Sequence, residues 1–422
     1  MPSDVAPPVE NPAPGAGPAT VALVGAEFGW GSSGKLSAVL SALRRRPTTP
    51  LRFVGLASGL GRPLLAEHTV DGWYDLPDDP ERLAPAVREI VRSQGVRAAV
   101  VVLDGAAAKA LLAAGVPTVF VDSLPFLWSE GDRDALPLDT TVYCAQRSVE
   151  LPSECLDVLA GARALRWVEA VIAAPRAAAS AQAAVGPAGG RSAGGPYRRA
   201  LISLGGLRAP RLGDPGNYPR LVVPAVLEAL AAHGVEEVHI AGNLPADLAG
   251  RLVDASIAPP RTTTGPLGHG AFLERLAGSD VLLTSPGLTT LLEAGGLDVP
   301  TICLPPQNLS QIFNGRYHSQ ALDARLRVPW PKGVLAEDEA LALRSEGEDH
   351  ALELIYGAIE AAARGDDRRA VGRVLRDGVL EALRRSAEVE DWAALTAAVG
   401  TGGADQVADA LLEVLDAAHP ST

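Results

Sequence analysis

Leu283-Thr-Ser-Pro-Gly-Leu-Thr-Thr-Leu-Leu-Glu-Ala-Gly-Gly-Leu-Asp-Val-Pro-Thr-Ile-Cys-Leu-Pro-Pro-Gln-Asn308 is the most informative segment of this chain. The apolar residues that end at Leu283 are typical of a buried parallel strand. A Ser-Pro-Gly turn interrupts the strand, and a helical pattern begins at Leu288 and ends at the Gly-Gly pair. The next strand is predicted at residues 299–304. The segment therefore predicts one unit of a parallel α/β sheet.

The turn before this helix and the first helical turn form a predicted diphosphate site. A helix that starts directly after a strand presents unpaired backbone N–H groups and a partial positive charge, which attract an anion. The residues assigned to this site are Ser285, Pro286, Gly287, Leu288, Thr289 and Thr290. Glu293 lies one turn further, where its carboxylate can accept hydrogen bonds from a diol such as ribose. Strand–glycine–helix units without a phosphate are also common, so the turn alone leaves a purely structural role open.

A polar loop follows the second strand of the unit. After Pro305 and Pro306, amide and hydroxyl side chains are frequent in residues 307–314, which does not suit a core segment. At this point the sequence resembles the nucleotide-sugar glycosyltransferases of the GT-B fold. The matching positions are Ser285, Gly287, Thr289, Thr290, Glu293, Ala294, Pro300, Pro306, Gln307, Gln311 and Asn314.

This resemblance implies an α/β protein of the GT-B fold, with two Rossmann-like, doubly wound domains that face a cleft. It also implies an inverting, metal-independent transfer in which a UDP-sugar is the co-substrate and no cofactor is used. The helix N-terminus would stabilise the negative charge on the leaving diphosphate. The transferred sugar would lie near Gln307, Asn308 and Gln311.

Strand and helix patterns alternate on both sides of a low-complexity Ala/Gly/Ser segment. Before it, strands are predicted at 21–24, 51–56, 98–103 and 118–121, and helices are predicted at 82–94, at 106–114 and throughout 151–174. After it, strands are predicted at 200–206, 235–241, 281–283 and 299–304, and residues 337–418 are mostly helical. The pattern predicts a disordered leader at 1–19, a domain at 20–176, a flexible linker at 177–196, a second domain at 197–380 and C-terminal helices at 381–422 that pack back on the domains. The resemblance implies that the domain at 20–176 binds the acceptor and the domain at 197–380 binds the nucleotide-sugar donor.

Length, composition and charge fit this organisation. The 422 residues suffice for two domains, and a hydrophobic fraction of 47% supports large cores. The net charge of −13 argues against nucleic acid as a partner, because phosphate binding needs a basic face. Cys144, Cys155 and Cys303 lack metal-site spacing, so we expect free thiols in a reducing compartment. No apolar run reaches a membrane span of ~18 residues, and residues 1–20 lack the features of a signal peptide. We therefore expect a cytoplasmic protein that acts on small molecules and does not bind membranes; a homodimer stays open.

The second half of the chain opens on a strand that ends in two glycines. Gly205 and Gly206 stand at its carboxyl end, where ligands approach open α/β sheets, and are assigned to the donor site; an ordinary tight turn is an equal alternative. Arg208 follows, and it either reaches a phosphate or sugar carboxylate or stays a solvated surface charge. His269 lies where the resemblance implies the nucleobase, and it either packs under the base or caps the next helix.

The N-terminal half carries a glycine-rich loop, Gly25-Ala-Glu-Phe-Gly-Trp-Gly-Ser-Ser-Gly-Lys35. Its end has the spacing of a P-loop, but Leu36 replaces the hydroxyl that would bind Mg²⁺, which argues against a nucleoside triphosphatase. In the resembled family this loop ends in Gly-His and faces the acceptor, so Lys35 puts a histidine base in doubt and is assigned to a sugar carboxylate or phosphate. Glu27 is a candidate base. The acceptor-binding residues on this loop are Gly31, Ser32, Ser33 and Gly34.

A further cluster follows the strand predicted at 118–121. Asp122 and Ser123 precede Phe126 and Trp128, which suits a flat, hydrogen-bonding acceptor; a hydrophobic lid is an equal alternative. With the loop around Lys35, this cluster is similar to the cytosylglucuronate synthases of nucleoside-antibiotic pathways. The similarity implies transfer of glucuronate from UDP-glucuronate to cytosine or hydroxymethylcytosine. Asp122 or Glu27 would be the base, and Lys35 or Arg208 would bind the sugar carboxylate.

Two other functions stay open at the level of sequence. An epimerase or hydrolase of UDP-sugars would share the donor site, but such enzymes usually add acidic and histidine residues around the sugar, which are sparse here. A non-catalytic nucleotide-sugar sensor would keep the donor helix and Glu293 while tolerating loss of the acceptor loops. Analysis of the products formed from UDP-sugars separates these classes.

Overall fold

The computed structural model describes residues 17–46, 50–56, 59–173, 197–253, 257–346 and 348–417. Within these ranges the strands form two sheets in which all neighbouring strands are parallel. The predicted linker at 177–196 and most of the predicted leader lie outside the described residues. None of the described helices is long and apolar enough to cross a membrane.

The first sheet is built from seven strands. They are β1 (Ala19–Gly25), β2 (Leu51–Leu56), β3 (Gly72–Tyr74), β4 (Val96–Val102), β5 (Thr118–Asp122), β6 (Val142–Gln146) and β7 (Leu165–Val168). Their order in the sheet is β3-β2-β1-β4-β5-β6-β7. The strand order reverses between β1 and β4, which opens a crevice at the carboxyl ends of these two strands.

The second sheet repeats this plan with five strands. They are β8 (Arg199–Gly205), β9 (Glu237–Gly242), β10 (Arg261–Gly265), β11 (Val281–Thr284) and β12 (Thr301–Cys303), in the order β10-β9-β8-β11-β12. The order reverses between β8 and β11, so this sheet has its own crevice. The central strands β4, β8 and β11 are buried along most of their length, as expected for apolar strands that are covered on both faces.

The helices connect and cover the two sheets. They are α1 (Gly31–Arg44), α2 (Pro80–Gln94), α3 (Gly105–Ala113), α4 (Ser153–Leu159), α5 (Asn217–His233), α6 (Ala246–Val253), α7 (His269–Ala277), α8 (Leu288–Gly296), α9 (Leu309–Ala321), α10 (Glu337–Ala342), α11 (Glu348–Arg364), α12 (Arg368–Ser386), α13 (Ala394–Val399) and α14 (Gly403–Ala417). Short 3₁₀ turns occur at Pro125–Leu127, Glu130–Asp132 and Leu343–Glu346.

The last helix, α14, crosses back to the first sheet. Its apolar residues, Val407 and Leu411 among them, share a buried core with residues of β1, β4 and β5. At the rim, Arg46 donates hydrogen bonds to Asp405 and Asp409 at 2.9 Å each. The described chain therefore ends on the half in which it begins, and the predicted boundary at 380/381 falls inside α12.

The predicted strands at 21–24, 51–56, 98–103, 118–121, 200–206, 235–241, 281–283 and 299–304 all correspond to observed strands, with ends that shift by up to a few residues. The prediction of helices throughout 151–174 was wrong, because β7 follows α4 there. The strands β3, β6, β7 and β10 were not predicted. Three of these four strands, β3, β7 and β10, lie at sheet edges. The sequence of β10, Arg-Thr-Thr-Thr-Gly, shows why it was missed, because it lacks the apolar run of a central strand.

Candidate functional site

The two sheets meet at a cleft with a volume of about 340 Å³. Its walls are formed by the segments that follow β1, β4 and β5 in the first sheet and β8, β11 and β12 in the second. These segments stand at the carboxyl ends of the strands, and they include both points at which strand order reverses, where open α/β sheets bind ligands. The cleft is therefore the candidate functional site.

The N-terminus of α8 opens into this cleft. Gly287 precedes the helix in an extended conformation, and no side chain caps the first turn. The loop after β12 holds the turn in place, because Gln307 Nε2 donates to Ser285 Oγ at 2.8 Å and Asn314 Nδ2 donates to the Pro286 carbonyl at 3.0 Å. The first-turn N–H groups of α8 are thus positioned for an anion by the polar loop that follows it.

Lys35 connects the two halves at this point. It lies in the first turns of α1, 2% exposed, and its Nζ donates a hydrogen bond to Thr289 Oγ1 at the start of α8. The N-terminus of α1 is also free of a side-chain cap. Burial lowers the pKa of Lys35 to about 8, partly offset by the charge of Glu293. Two helix N-termini and one buried ammonium group therefore converge on Thr289, and all three favour a bound anion.

A chain of buried hydrogen bonds lies behind this point. His269 Nε2 and Glu293 Oε1 are 2.7 Å apart, His269 Nδ1 and Ser37 Oγ are 2.8 Å apart, and Ser37 Oγ is 2.7 Å from His68 Nε2. Burial opposes the charged form of His269, but Glu293 and then Glu67 outweigh it and raise the pKa of His269. The pKa of His68 is lowered to about 4, mainly because the side chain is buried. The chain therefore runs from a protonatable His269 to a neutral His68 and joins α1 to α7 and α8.

The loop after β8 packs directly on the glycine-rich loop of the first half. Gly205 has a φ of +71°, and a Cβ on Gly206 would lie 2.8 Å from the Gly29 carbonyl carbon. Gly29 N donates to the Arg208 carbonyl at 2.8 Å. The Arg208 side chain is 56% exposed and lines the cleft. This loop requires glycine because backbone touches backbone there.

Glu27 does not occupy the place that a general base would need. Its Oε1 accepts hydrogen bonds from Gly59 N at 3.1 Å and Leu60 N at 3.2 Å, and its Oε2 lies 3.8 Å from Arg208 Nη1. The residue does not line the cleft; it borders a small neighbouring pocket instead. The geometry assigns Glu27 to holding the loop that contains Gly59, which speaks against its predicted role as a base.

Asp122 is likewise displaced from the cleft. It is fully buried at the end of β5, and its Oδ2 accepts hydrogen bonds from Trp128 Nε1 at 2.6 Å and Tyr143 Oη at 2.9 Å. Its Oδ1 accepts from Leu124 N at 3.0 Å. These hydrogen bonds to Asp122 hold Trp128 and the backbone after Ser123 in place. Asp122 therefore supports the cleft wall that contains Ser123 and Trp128 from behind, and the prediction that it deprotonates an acceptor does not fit this geometry.

We predict that Asp122→Asn changes stability far more than ligand binding. The new amide group would face one of three buried donors, which should lower the free energy of unfolding by about 1–3 kcal/mol. Burial raises the pKa of Asp122 to about 6. Because the pKa is higher in the folded state, protonation of Asp122 stabilises the wild type as the pH falls from 8 towards 4, whereas asparagine does not titrate. The difference in the free energy of unfolding between the wild type and the variant should therefore grow over this pH range. Urea unfolding measures both effects, with the exposed Asp139→Asn as control. Wild-type stability with lost turnover would restore Asp122 as a catalytic residue.

The cleft brings together most of the residues assigned from the sequence. Lining it are Gly31, Ser32, Gly34, Lys35, Ser123, Trp128, Gly205, Gly206, Arg208, His269, Ser285, Gly287, Leu288, Thr289, Thr290, Glu293, Gln307, Asn308 and Gln311. Outside the lining are Glu27, Ser33, Asp122, Phe126 and Pro286. Phe126 packs in the core against Phe313 and Tyr317, with ring centroids 5.6 and 5.4 Å apart, so it cannot stack on an acceptor.

The amide side chains of the polar loop also have local structural tasks. Asn308 Oδ1 accepts from Gln311 N at 3.0 Å and caps α9, and Gln311 Oε1 accepts from Gln307 N at 2.8 Å.

Cleft residues that the sequence did not reveal include Trp30, Glu348 and Tyr356. Trp30 lies inside the glycine-rich motif, but nothing in the pattern of α11 marks Glu348 or Tyr356 as cleft residues.

Neither a protein-family model nor a curated protein matches the sequence. Solved structures do match over nearly the whole chain. UDP-GlcNAc 2-epimerase from Neisseria meningitidis, bound to UDP-GlcNAc, is 12% identical, with a TM-score of 0.55 over 93% of this chain and 99% of that chain. Os79 from O. sativa, in complex with U2F and trichothecene, is 14% identical, with a TM-score of 0.52 over 93% and 100%. A UDP-glucosyltransferase from Polygonum tinctorium is 15% identical, with a TM-score of 0.51 over 95% and 99%. The two parallel, doubly wound sheets and these similarities show that the chain has the GT-B fold.

Proposed function

We propose that this protein is a metal-independent glycosyltransferase that uses a UDP-sugar as donor. The observation that carries the proposal is the convergence of two uncapped helix N-termini and the buried Lys35 ammonium group on Thr289. This arrangement suits a diphosphate, and it would stabilise the charge that develops on UDP as the bond to the sugar breaks. The solved structures of the same fold, which include a UDP-glucosyltransferase, support this class of donor.

Glu293 is the group that we propose for the ribose. It lines the cleft one turn beyond Thr289, and its Oε1 is already bonded to His269. A carboxylate fixed in this way can accept hydrogen bonds from a diol without a large loss of side-chain entropy. His269 would then hold Glu293 in position instead of packing under the base.

For the transferred sugar we propose a uronic acid, bound through its carboxylate by Arg208. Lys35 is buried beside Thr289, where it serves the diphosphate, whereas Arg208 lines the open part of the cleft and is half exposed. A guanidinium group favours a carboxylate over a hydroxymethyl group. The acceptor, for which we propose cytosine or hydroxymethylcytosine, would lie against Ser123 and Trp128. UDP-glucuronate should then be a better donor than UDP-glucose, and Arg208→Ala should remove most of that preference.

The donor site is tested by thermal shift in the presence of EDTA. UDP should raise the melting temperature of the wild type without Mg²⁺, because a ligand that binds only the folded state stabilises it. Glu293→Gln should weaken UDP binding by roughly 1.5–3 kcal/mol, measured by calorimetry. Glu274→Gln on the exposed face of α7 is the matched control. A strict requirement for Mg²⁺, or equal binding by wild type and Glu293→Gln, contradicts the proposed site.

Product analysis then separates the proposed transferase from an epimerase or a sensor. Transfer gives UDP and a new glycoside, epimerisation returns an isomeric UDP-sugar or a free sugar, and a sensor gives neither. The acceptor wall of Ser123 and Trp128 favours transfer, because the buried Ser123 Oγ has no hydrogen-bond partner among the described residues and can bind a second substrate.

A further inference from the structure

Only two carboxylates of the described residues line the cleft, Glu293 and Glu348. Glu293 stands on the donor wall and is bonded to His269. Glu348 is the first residue of α11, and no hydrogen bond or ion pair engages its carboxylate within the described part of the chain. A carboxylate that lines a cleft and has no structural partner is available to a substrate.

Glu348 lies near the segment of the first half that carries Trp128. It shares the lining of the cleft with Tyr356 of its own helix and with Trp128 and Ser123 of the first half. Asp132, whose charge acts on Glu348, lies in the 3₁₀ turn that follows Trp128. The segment that carries Trp128 and the start of α11 therefore meet at one end of the cleft.

Burial at this place favours the protonated carboxyl group. It raises the pKa of Glu348 to about 7, and the negative charges of Asp132 and Asp349 add to the effect. The other charged groups nearby are engaged: Asp349 binds Arg211 at 2.7 Å, and Arg344 donates to the Phe126 carbonyl at 3.0 Å. The pKa of the Tyr356 hydroxyl is raised by burial and by Glu348, so this tyrosine stays neutral. A carboxyl group that titrates near neutral pH can take a proton efficiently.

We propose that Glu348 is the general base of the sugar transfer, an inference that rests on the proposed function. The Glu348 carboxylate takes the proton from the N–H or O–H group of the acceptor. The electron pair that deprotonation leaves on this acceptor nitrogen or oxygen forms the new bond to the anomeric carbon. The bond from this carbon to the diphosphate oxygen breaks, and its electron pair leaves with UDP, whose charge Lys35 and the N-terminus of α8 stabilise. Glu348 thereby replaces Asp122 and Glu27, whose carboxylates are bonded elsewhere.

The test compares wild type with Glu348→Gln in two separate measurements. Calorimetry with UDP reports the donor site, and UDP release from UDP-glucuronate reports turnover, both with water alone and with cytosine added. Glu348→Gln should bind UDP as the wild type does and lose about 100-fold in turnover, as expected for the removal of a general base. The wild-type rate should rise through pH 7 as Glu348 ionises, and the residual rate of the variant should lack this rise. Glu353→Gln, on the same helix but paired with Arg211, should behave as wild type in both.

The outcomes separate the two proposals. If Glu348→Gln binds UDP and keeps the wild-type rate and pH profile, Glu348 is not the base, while the donor site stands. If the wild type neither binds UDP nor releases it from UDP-glucuronate, the proposed function fails and the role of Glu348 falls with it. Glu348→Asp guards against a purely structural effect, because a shorter carboxylate should retain part of the rate and the rise near neutral pH. Loss of turnover in all three variants, Glu353→Gln included, would point to damage to α11 and overturn the assignment.

Discussion

Replacing Lys35 by methionine should weaken UDP binding by about 100-fold, the value expected when a charge-assisted contact of roughly 3 kcal/mol is lost. Methionine keeps most of the volume and the apolar stem of lysine, so the interface between α1 and α8 should stay packed. The variant should also be at least as stable as the wild type, because burial disfavours the charged ammonium group in the free protein. Calorimetry with UDP measures the affinity, and urea unfolding measures the stability.

The pH dependence gives a second signature of Lys35. Because its pKa is lowered to about 8, the ammonium group loses its charge above that value and not near 10.5. UDP affinity of the wild type should therefore fall as the pH rises from 7 to 9.5, whereas the Lys35→Met variant should show no such fall. The phosphate groups are fully ionised over this range, since their last pKa is about 6. The exposed Lys332→Met is the control. An equal pH dependence in wild type and Lys35→Met would remove Lys35 from the site.

Gly206→Val should disrupt the cleft itself. The new Cβ would stand 2.8 Å from the Gly29 carbonyl carbon and 2.9 Å from its Cα, distances that backbone atoms cannot accommodate without movement. The loops after β1 and β8 must then separate, which should cost about 1–3 kcal/mol of packing. Lys35 would be drawn away from Thr289, and UDP affinity should fall by about tenfold or more as the charge-assisted contact lengthens.

Two measurements test this second prediction. Small-angle scattering with and without UDP reports whether the halves stay apart, and Trp30 fluorescence reports the local change, because Trp30 Cδ1 lies 3.0 Å from the position that a Cβ on Gly206 would take. Gly213→Val is a matched control further along the loop that follows β8, where an added Cβ meets nothing within 4 Å. If Gly206→Val binds UDP as tightly as Gly213→Val does, the contact between the two glycine loops has no part in the donor site.

Local sequence was enough to predict the parallel α/β architecture and the wall of the cleft that the start of α8 forms. Val281 to Glu293 form one contiguous strand–turn–helix unit, and its hydrogen bonds and apolar periodicity are local properties that neighbouring residues specify. The glycines of the loop after β8 could be recognised for the same reason, since a positive φ and a close backbone approach select glycine directly. Strands were missed mainly at sheet edges, where burial on one side only leaves a weak apolar signal.

Which polar groups are available to a substrate depends instead on how distant segments pack. Asp122, Glu27 and Glu348 are all carboxylates, and no local pattern shows that the first two are bonded within the protein while the third lines the cleft. The contact of Lys35 with Thr289 joins residues 254 positions apart, and Glu348 meets the segment of Trp128 only because the 3₁₀ turn before α11 packs against the 3₁₀ turn that follows Trp128. Burial and pairing set the charge and reach of each side chain, and both follow from which distant segments come together. Short-range patterns therefore specify the frame of the site, and non-local packing assigns its chemistry.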